Sequence, residues 1–235
     1  MKGRDGNIHR GRPGKGQPAM ISHLGAMVPV ISGMLLAKRM RGETGFVGGT
    51  SLGDGAMSTG SAHEGLNLAA VEKLPLVVSV ANNQFAYSTP TDRQYACNSL
   101  VDRAQGYGME GYEIDGTDFL TCLSTFRHAV ARAREGHGPQ MVVGKLLRLT
   151  GHGEHDDASY VPEALLQSHE GRDCLSVARA QLLEMGWEDE ESFERIDAEC
   201  RDEISTAVSL AEKDPLPDPY RESWNALRSS FRNDG

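Results

Sequence analysis

The run Leu76-Val77-Val78-Ser79-Val80 constrains the fold more than any other stretch of this chain. A continuous apolar segment of this length, rich in β-branched residues and entered through Pro75, is what a strand needs when both of its faces are covered. Such a strand implies a mostly parallel sheet, because parallel strands are joined by crossovers that lay helices on the two faces. The flanking sequence repeats that rhythm. A short run ends near Leu52 and passes through Gly53-Asp54-Gly55 into a helical stretch reaching Lys73, with Leu66, Ala69, Ala70 and Leu74 toward one face. Met109 to Ile114 reads as a further strand, followed by a helix capped by Thr117 and closed by Gly136, then a strand from Met141 to Leu149. Ahead of these, the apolar residues between Ile21 and Met40 predict a buried helix entered from the turn Ser22-His23-Leu24-Gly25. Pro29 is tolerable there only within the first helical turn. The expected fold class is therefore α/β, a mostly parallel sheet with helices on both faces. Its loops gather at the carboxyl ends of the strands, where ligands bind in such folds.

Around that core the chain divides into an irregular, glycine-rich segment over residues 1–20, the α/β domain over 21–160 and a helical region over 161–235. In the last of these, Phe193, Ile196, Cys200, Ile204, Ala207, Val208 and Ala211 recur at helical spacing. Asp189, Glu190 and Glu191 mark the start of that helix and Asp214-Pro215 its stop. Its apolar face needs a surface to cover, on the core or on a partner subunit. Trp187 and Trp224 read as packing anchors.

Charge and cysteine usage exclude several classes. A formal net charge of −9 argues against a nucleic-acid partner, which calls for a clustered basic face. The basic residues Lys2, Arg4, Arg10, Arg12 and Lys15 are separated by glycines and followed by no apolar h-region, so no signal peptide is expected. No stretch approaches the ~20 apolar residues of a membrane span. Cys97, Cys122, Cys174 and Cys200 are scattered, with no Cys-x-x-Cys pair, which suits reduced thiols in a soluble, cytoplasmic protein.

The chemistry concentrates at one turn. A lone Gly-Asp-Gly serves many tight turns. Between a strand and a helix it gains meaning, since glycines let the backbone approach closely and free helix N–H groups face an anion. A diphosphate is repelled by carboxylates unless a cation intervenes, and Asp54 is an oxygen ligand suited to Mg²⁺. A second ligand then has to come from a neighbouring strand end. Asn82-Asn83 closes the Leu76–Val80 strand, about 30 residues beyond Asp54, which is what one βαβ crossover consumes.

With that pairing, Gly53 through Asn83 resembles the cofactor motif of thiamine-diphosphate enzymes. Ser22-His23-Leu24-Gly25, Gly53-Asp54-Gly55-Ala56, the stretch Asn82-Asn83-Gln84-Phe85-Ala86-Tyr87-Ser88-Thr89 and Gly151-His152-Gly153-Glu154-His155-Asp156-Asp157 narrow it. Together they resemble the alpha subunit of the decarboxylating component of 2-oxo acid dehydrogenase complexes, over nearly the whole chain. The resemblance implies Asp54 and the Asn83 side chain as Mg²⁺ ligands, with the Phe85 carbonyl as a third. It implies Gly53, Gly55 and Ala56 at the diphosphate, Ser22 and Leu24 at the aminopyrimidine, and His152 as the active-site histidine of a mobile loop. It also implies a beta subunit that completes the site in an α2β2 heterotetramer, a lipoyl acyltransferase component and a small 2-oxo acid substrate, pyruvate by default.

Outside the motif, His63 and Glu64 read as helix-surface or subunit contacts, His155 as a solvent or partner contact, and Asp156 and Asp157 as caps or bridges within the loop. Two departures qualify the resemblance. Family members carry a further N-terminal stretch with a Tyr-Arg pair that grips the diphosphate, whereas this sequence starts at Met1-Lys2-Gly3-Arg4, after that pair. Ala26 and Met27 replace polar side chains that bind a potassium ion in some branched-chain members, so no such ion is expected. An acetoin or branched-chain 2-oxo acid dehydrogenase alpha subunit, and a truncated non-catalytic assembly subunit, stand as alternatives.

Overall fold

A computed structural model of the chain describes His9 and residues 11–213. Asp214-Pro215, expected to stop the last helix, and Trp224 lie outside the described residues, as do Lys2, Arg4 and Arg10. The chain divides into two compact units, Ile21–Trp187 and a second made of Met1–Met20 with Glu188–Gly235.

The first unit is built on a sheet of four strands, β1 (Gly48–Gly53), β2 (Leu76–Asn82), β5 (Glu110–Asp115) and β6 (Gln140–Lys145), all parallel and in the spatial order β1-β2-β6-β5. Two short strands, β3 (Phe85–Ala86) and β4 (Thr89–Pro90), form a separate antiparallel hairpin. Helix α1 (Met27–Met40) precedes the sheet, and α2 (Gly60–Val71), α3 (Asp102–Tyr107) and α4 (Phe119–Arg134) serve as crossovers. The strand order moves one way from β1 through β2 to β5 and then steps back to β6. Right-handed crossovers therefore lay α2 and α3 on one face and α4 on the other. The packing agrees. Leu76, Val78 and Val80 of β2 join α1, α2 and α3 in one cluster, while Val77 joins Ala129 and Ala133 of α4 in another. Each such valine or leucine contributes about 1.5–3 kcal/mol on leaving water, and this is why the uninterrupted apolar run lies centrally in the sheet.

The helices differ from their sequence-based bounds in instructive ways. The helix expected from Ile21 begins at Met27, because Ser22–Ala26 folds into a turn, and Pro29 falls in its first turn as required. Its buried residues Val28, Ile31, Ser32 and Leu35 keep helical spacing. Thr117 does not cap α4. Asp118 does, its Oδ1 accepting the Thr121 N–H at 2.7 Å, while the Thr117 N–H and hydroxyl both donate to Asp115 Oδ1. The end at Gly136 is as expected, with φ of +88°.

Beyond β6, α5 (Glu163–Leu166) and α6 (Cys174–Glu184) belong to the same unit as the sheet. The second unit contains α7 (Glu190–Lys213), whose first turn is closed by Asp189 Oδ1 accepting the Ser192 N–H at 2.8 Å. Ile196, Ile204 and Val208 of α7 are exposed. All four cysteines are unbridged. Among the described residues no helix is long and apolar enough to cross a membrane.

Candidate functional site

Parallel register brings the two motif halves to one edge of the sheet. Gly53 of β1 pairs with Ala81 of β2, and the Asp54 N–H donates to the Ala81 carbonyl at 3.2 Å. Asp54 and the Asn82-Asn83 pair thus leave adjacent strand ends. The chain does not run from Asp54 straight into α2. It first makes a single 3-10 turn, Gly55–Ser58, and α2 starts afresh behind Thr59, whose hydroxyl accepts the Ala62 N–H at 3.3 Å. The N–H groups that start this segment are accordingly those of the 3-10 turn, where the Gly55 N–H also donates to the Asp54 carboxylate, and not those of α2.

Asn83 Oδ1 accepts the Phe85 N–H at 3.1 Å, a local turn with Gln84 at positive φ that sends the chain into the β3–β4 hairpin. The hairpin lies against the Asp54 turn. A Cβ on Gly55 would clash with the Cβ of Ala86, so this contact requires glycine. The Phe85 carbonyl faces the Arg148 guanidinium, with Nη1 at 3.5 Å.

Asp54 is 1% exposed. Burial pushes its pKa up, against the pull of hydrogen bonds from the Gln94 side chain and the Gly55 N–H and of the Arg148 charge. The side-chain hydrogen bond it receives is from a neutral amide, and burial outweighs the Arg148 charge. Among the described residues no group of three or more His, Cys, Asp or Glu side chains could hold a metal ion. An ion at Asp54 would therefore be completed by neutral oxygens such as the Asn83 amide and the Phe85 carbonyl, a donor set that suits Mg²⁺ and that the residues present fit.

The other expected residues converge on the same edge. Gly25, at φ of +77°, closes the Ser22–Leu24 turn, and a side chain there would run into Thr59. The turn therefore sits against the segment that follows the Asp54 turn. Leu24 is 66% exposed. The His152 loop folds back onto the hairpin, with the His152 ring edge-on to Tyr87 at a centroid separation of 5.2 Å. Asp156 holds this loop in shape by accepting the His152 N–H at 2.6 Å, the Tyr160 hydroxyl at 2.7 Å and the Ala158 N–H at 3.0 Å. Those bonds, the His152 N–H first, hold its pKa at about 2. Arg148 joins loop and hairpin through the Tyr87 carbonyl at 3.0 Å, the Tyr160 hydroxyl and Asp156 at 3.8 Å. Asp157 caps locally by accepting the Ser159 N–H. His155 Nε2 lies 3.4 Å from the Tyr87 hydroxyl of the hairpin. His63 bonds instead to the Tyr107 hydroxyl, and Trp187 is exposed.

Sequence reasoning missed four side chains here: Tyr87, Gln94, Arg148 and Tyr160. Gln94 Nε2 donates to Asp54 Oδ2 at 2.9 Å and to the Thr89 carbonyl at 2.8 Å. No periodicity links residues so far apart. A second acid, Asp115, ends β5 at the same side of the sheet, but it is already paired. Its Oδ2 accepts from His169 Nε2 at 2.6 Å and Arg172 Nη2 at 2.8 Å. A cavity of about 250 Å³ beside it is lined by Glu113, Asp115, Lys145, His169 and Glu170, and Lys145 pairs with Glu113 at 2.9 Å.

Among proteins of known function, the chain is similar to the alpha subunit of acetoin:2,6-dichlorophenolindophenol oxidoreductase of Cupriavidus necator, 38% identical over 92% of this chain and 65% of that one. It is 32% identical to the pyruvate dehydrogenase E1 component subunit alpha of Rhizobium meliloti, over 92% and 62%. It is 36% identical to the 2-oxoisovalerate dehydrogenase subunit alpha of Bacillus subtilis, over 85% and 59%. The chain thus spans about three fifths of the length of these relatives. The sequence model of the dehydrogenase E1 component matches residues 2–220, and the chain belongs to that family.

Proposed function

We propose that this chain is the thiamine-diphosphate-binding alpha subunit of a 2-oxo acid dehydrogenase. In this reading it acts with a beta subunit in an α2β2 heterotetramer, in the cytoplasm, to decarboxylate a small 2-oxo acid and pass the acyl group to the lipoyl group of an acyltransferase component. The observation that carries the reading is the buried Asp54 carboxylate, its pKa raised, beside Asn83, the Phe85 carbonyl and the N–H groups of the 3-10 turn.

Thiamine diphosphate, when bound, supplies an electron sink for the carbon left by decarboxylation. The work left to the protein is to bind and orient it and to manage protons. Asp54, the Asn83 side chain and the Phe85 carbonyl hold Mg²⁺, and the N–H groups of Gly55 and Ala56, behind Gly53, hold the diphosphate. Ser22 and Leu24 meet the aminopyrimidine, with the exposed leucine giving it an apolar support. His152, on a loop fastened by Asp156 to the hairpin, is placed to hold or move a proton at the substrate. A second reading, acetoin as the substrate, is favoured by the 38% identity to the alpha subunit of the acetoin:2,6-dichlorophenolindophenol oxidoreductase.

The test is co-expression with the beta subunit and assay of thiamine- and Mg²⁺-dependent turnover of pyruvate, a branched-chain 2-oxo acid and acetoin. Asp54→Ala is expected to lower turnover of the accepted substrate about 100-fold, the scale for a lost metal ligand or its support. Full cofactor-dependent activity in that variant would sink the metal assignment. Absence of turnover of all three substrates by the parent complex would sink the catalytic reading.

A further inference from the structure

Gln94 joins the two halves of the candidate metal site. Asp54 and Ser58 belong to the turn after β1, and Thr89 belongs to the hairpin that also carries Phe85. Gln94 touches both. Its side-chain Nε2 commits both hydrogens, one to Asp54 Oδ2 at 2.9 Å and one to the Thr89 carbonyl at 2.8 Å. Its backbone is fixed as well, with the N–H donating to the Thr91 carbonyl at 3.0 Å and the carbonyl accepting the Ser58 hydroxyl at 3.0 Å. The orientation of the amide is not arbitrary. Turned over, it would set its oxygen against two acceptors.

This arrangement has two consequences for a cation at Asp54. The amide engages Oδ2, which restrains the carboxylate the way outer residues orient metal ligands. The remaining amide oxygen, Oε1, is buried and has no hydrogen-bond partner. A buried acceptor without a donor is costly, and an ion that retains water, as Mg²⁺ does, brings donors with it.

We propose that Gln94 is a positioning residue for the metal site, holding Asp54 in register with the hairpin that carries Phe85 and follows Asn83. The proposal rests on the reading of Asp54 as a magnesium ligand. It assigns a role to a residue outside the ligand set, and it predicts a defect in ion affinity rather than in assembly.

The test uses the chain assembled with its beta subunit and thiamine diphosphate, with Mn²⁺ as the probe and bound ion read by electron paramagnetic resonance. Gln94→Leu and Gln94→Met keep the volume and remove the donors. Each is expected to weaken Mn²⁺ binding by about 10–100-fold, with assembly intact by sedimentation. Affinity within twofold of the parent in an assembled variant overturns the proposal. If neither variant assembles, Ser58→Ala removes the hydroxyl that holds the Gln94 carbonyl at 3.0 Å, together with its longer contact from Arg103 Nη2 at 3.3 Å. There a loss of Mn²⁺ affinity of several-fold supports the proposal and unchanged affinity overturns it. Asp54→Ala separates the two claims. If the parent binds Mn²⁺ and Asp54→Ala does not, while Gln94→Leu binds as the parent does, the role of Gln94 alone fails. If the parent shows no Mn²⁺ site that Asp54→Ala removes, the metal reading fails and the proposal falls with it.

Discussion

Asp54 and Asp115 stand at the carboxyl ends of two strands of the same sheet, each followed by a glycine, and their surroundings have made opposite things of them. Asp115 keeps its charge. Burial alone would push its pKa up, but hydrogen bonds from Thr117 and His169 and the adjacent charge outweigh that and hold it at about 2. Arg172 adds a further bond at 2.8 Å. Asp54 is more deeply buried, receives one side-chain amide, and has its pKa raised. The first acid is satisfied from within the chain. The second receives neutral donors and only the charge of Arg148, and the proposed magnesium site rests on this difference.

Removing the charge at Asp54 has the largest expected effect. Its folded pKa is raised, so the folded chain binds more protons than the unfolded one between the ordinary carboxylate value and the raised one. Stability without ligand therefore falls as pH rises through that window. Asn cannot ionise. Asp54→Asn is expected to raise the ligand-free stability at neutral pH by about 1 kcal/mol, the scale of a relieved buried polar group. The same variant should lose the stabilisation by Mg²⁺ with thiamine diphosphate, about 2.7 kcal/mol at a hundredfold excess over Kd. Melting curves of the assembled complex with and without ligand measure both. A variant that melts lower when empty, or that gains as much from ligand as the parent, removes the distinction between the two acids.

A smaller effect sharpens how the Asp54 region is built. Gly55 allows the turn to lie against Ala86, and a methyl group there has nowhere to go without moving the hairpin. Gly55→Ala should cost about 2 kcal/mol, within the range for overpacking, and Ala86→Gly in the same chain should recover most of it. A double-mutant cycle in urea reads the coupling directly. Additive costs would mean that the two segments are not held together.

The sheet was legible because its signals are local. β2 shows as one apolar run, and the strand ends expected near Leu52 and Ile114 and the start expected at Met141 lie within a residue of those observed, whereas the strand expected to reach Leu149 stops at Lys145. The turn Gly53-Asp54-Gly55 and the pair Asn82-Asn83 were legible for the same reason, each carrying its chemistry in a few consecutive residues. What escaped reading is non-local or unsignalled. The hairpin has strands of two residues and turns through Tyr87 at positive φ, with none of the Asn-Gly signals that mark such turns. Thr117 and Asp118 are both able to cap a helix, and the choice fell to Asp118 because Asp115 engages Thr117. The partners of Asp115 and Asp54, namely Arg172, His169 and Gln94, are supplied by tertiary folding across tens of residues, where no periodic pattern reaches.

Removing the charge at Asp115 has a smaller expected effect, of opposite pH dependence. Asp115 has a folded pKa of about 2, below the ~3.9 of an unfolded aspartate. Its contribution to stability is then fully present above pH 4 and is lost as pH falls toward 2, the reverse of the slope that Asp54 produces. The shift would correspond to roughly 2–3 kcal/mol if undiscounted. The Asp115 side chain is 28% exposed and that of Arg172 38%, so solvent screening lowers the expectation to about 1 kcal/mol. Glu110 and Asp156 are also held at about 2, so the total stability curve does not isolate Asp115. A difference curve does. Urea unfolding at pH 5, 4 and 3 should find Asp115→Asn less stable than the parent by about 1 kcal/mol at pH 5, with the gap closing as the parent's carboxylate protonates. A gap independent of pH would mean that the pairing with His169 and Arg172 acts through shape rather than charge, and Asp115 would no longer be the satisfied counterpart of Asp54.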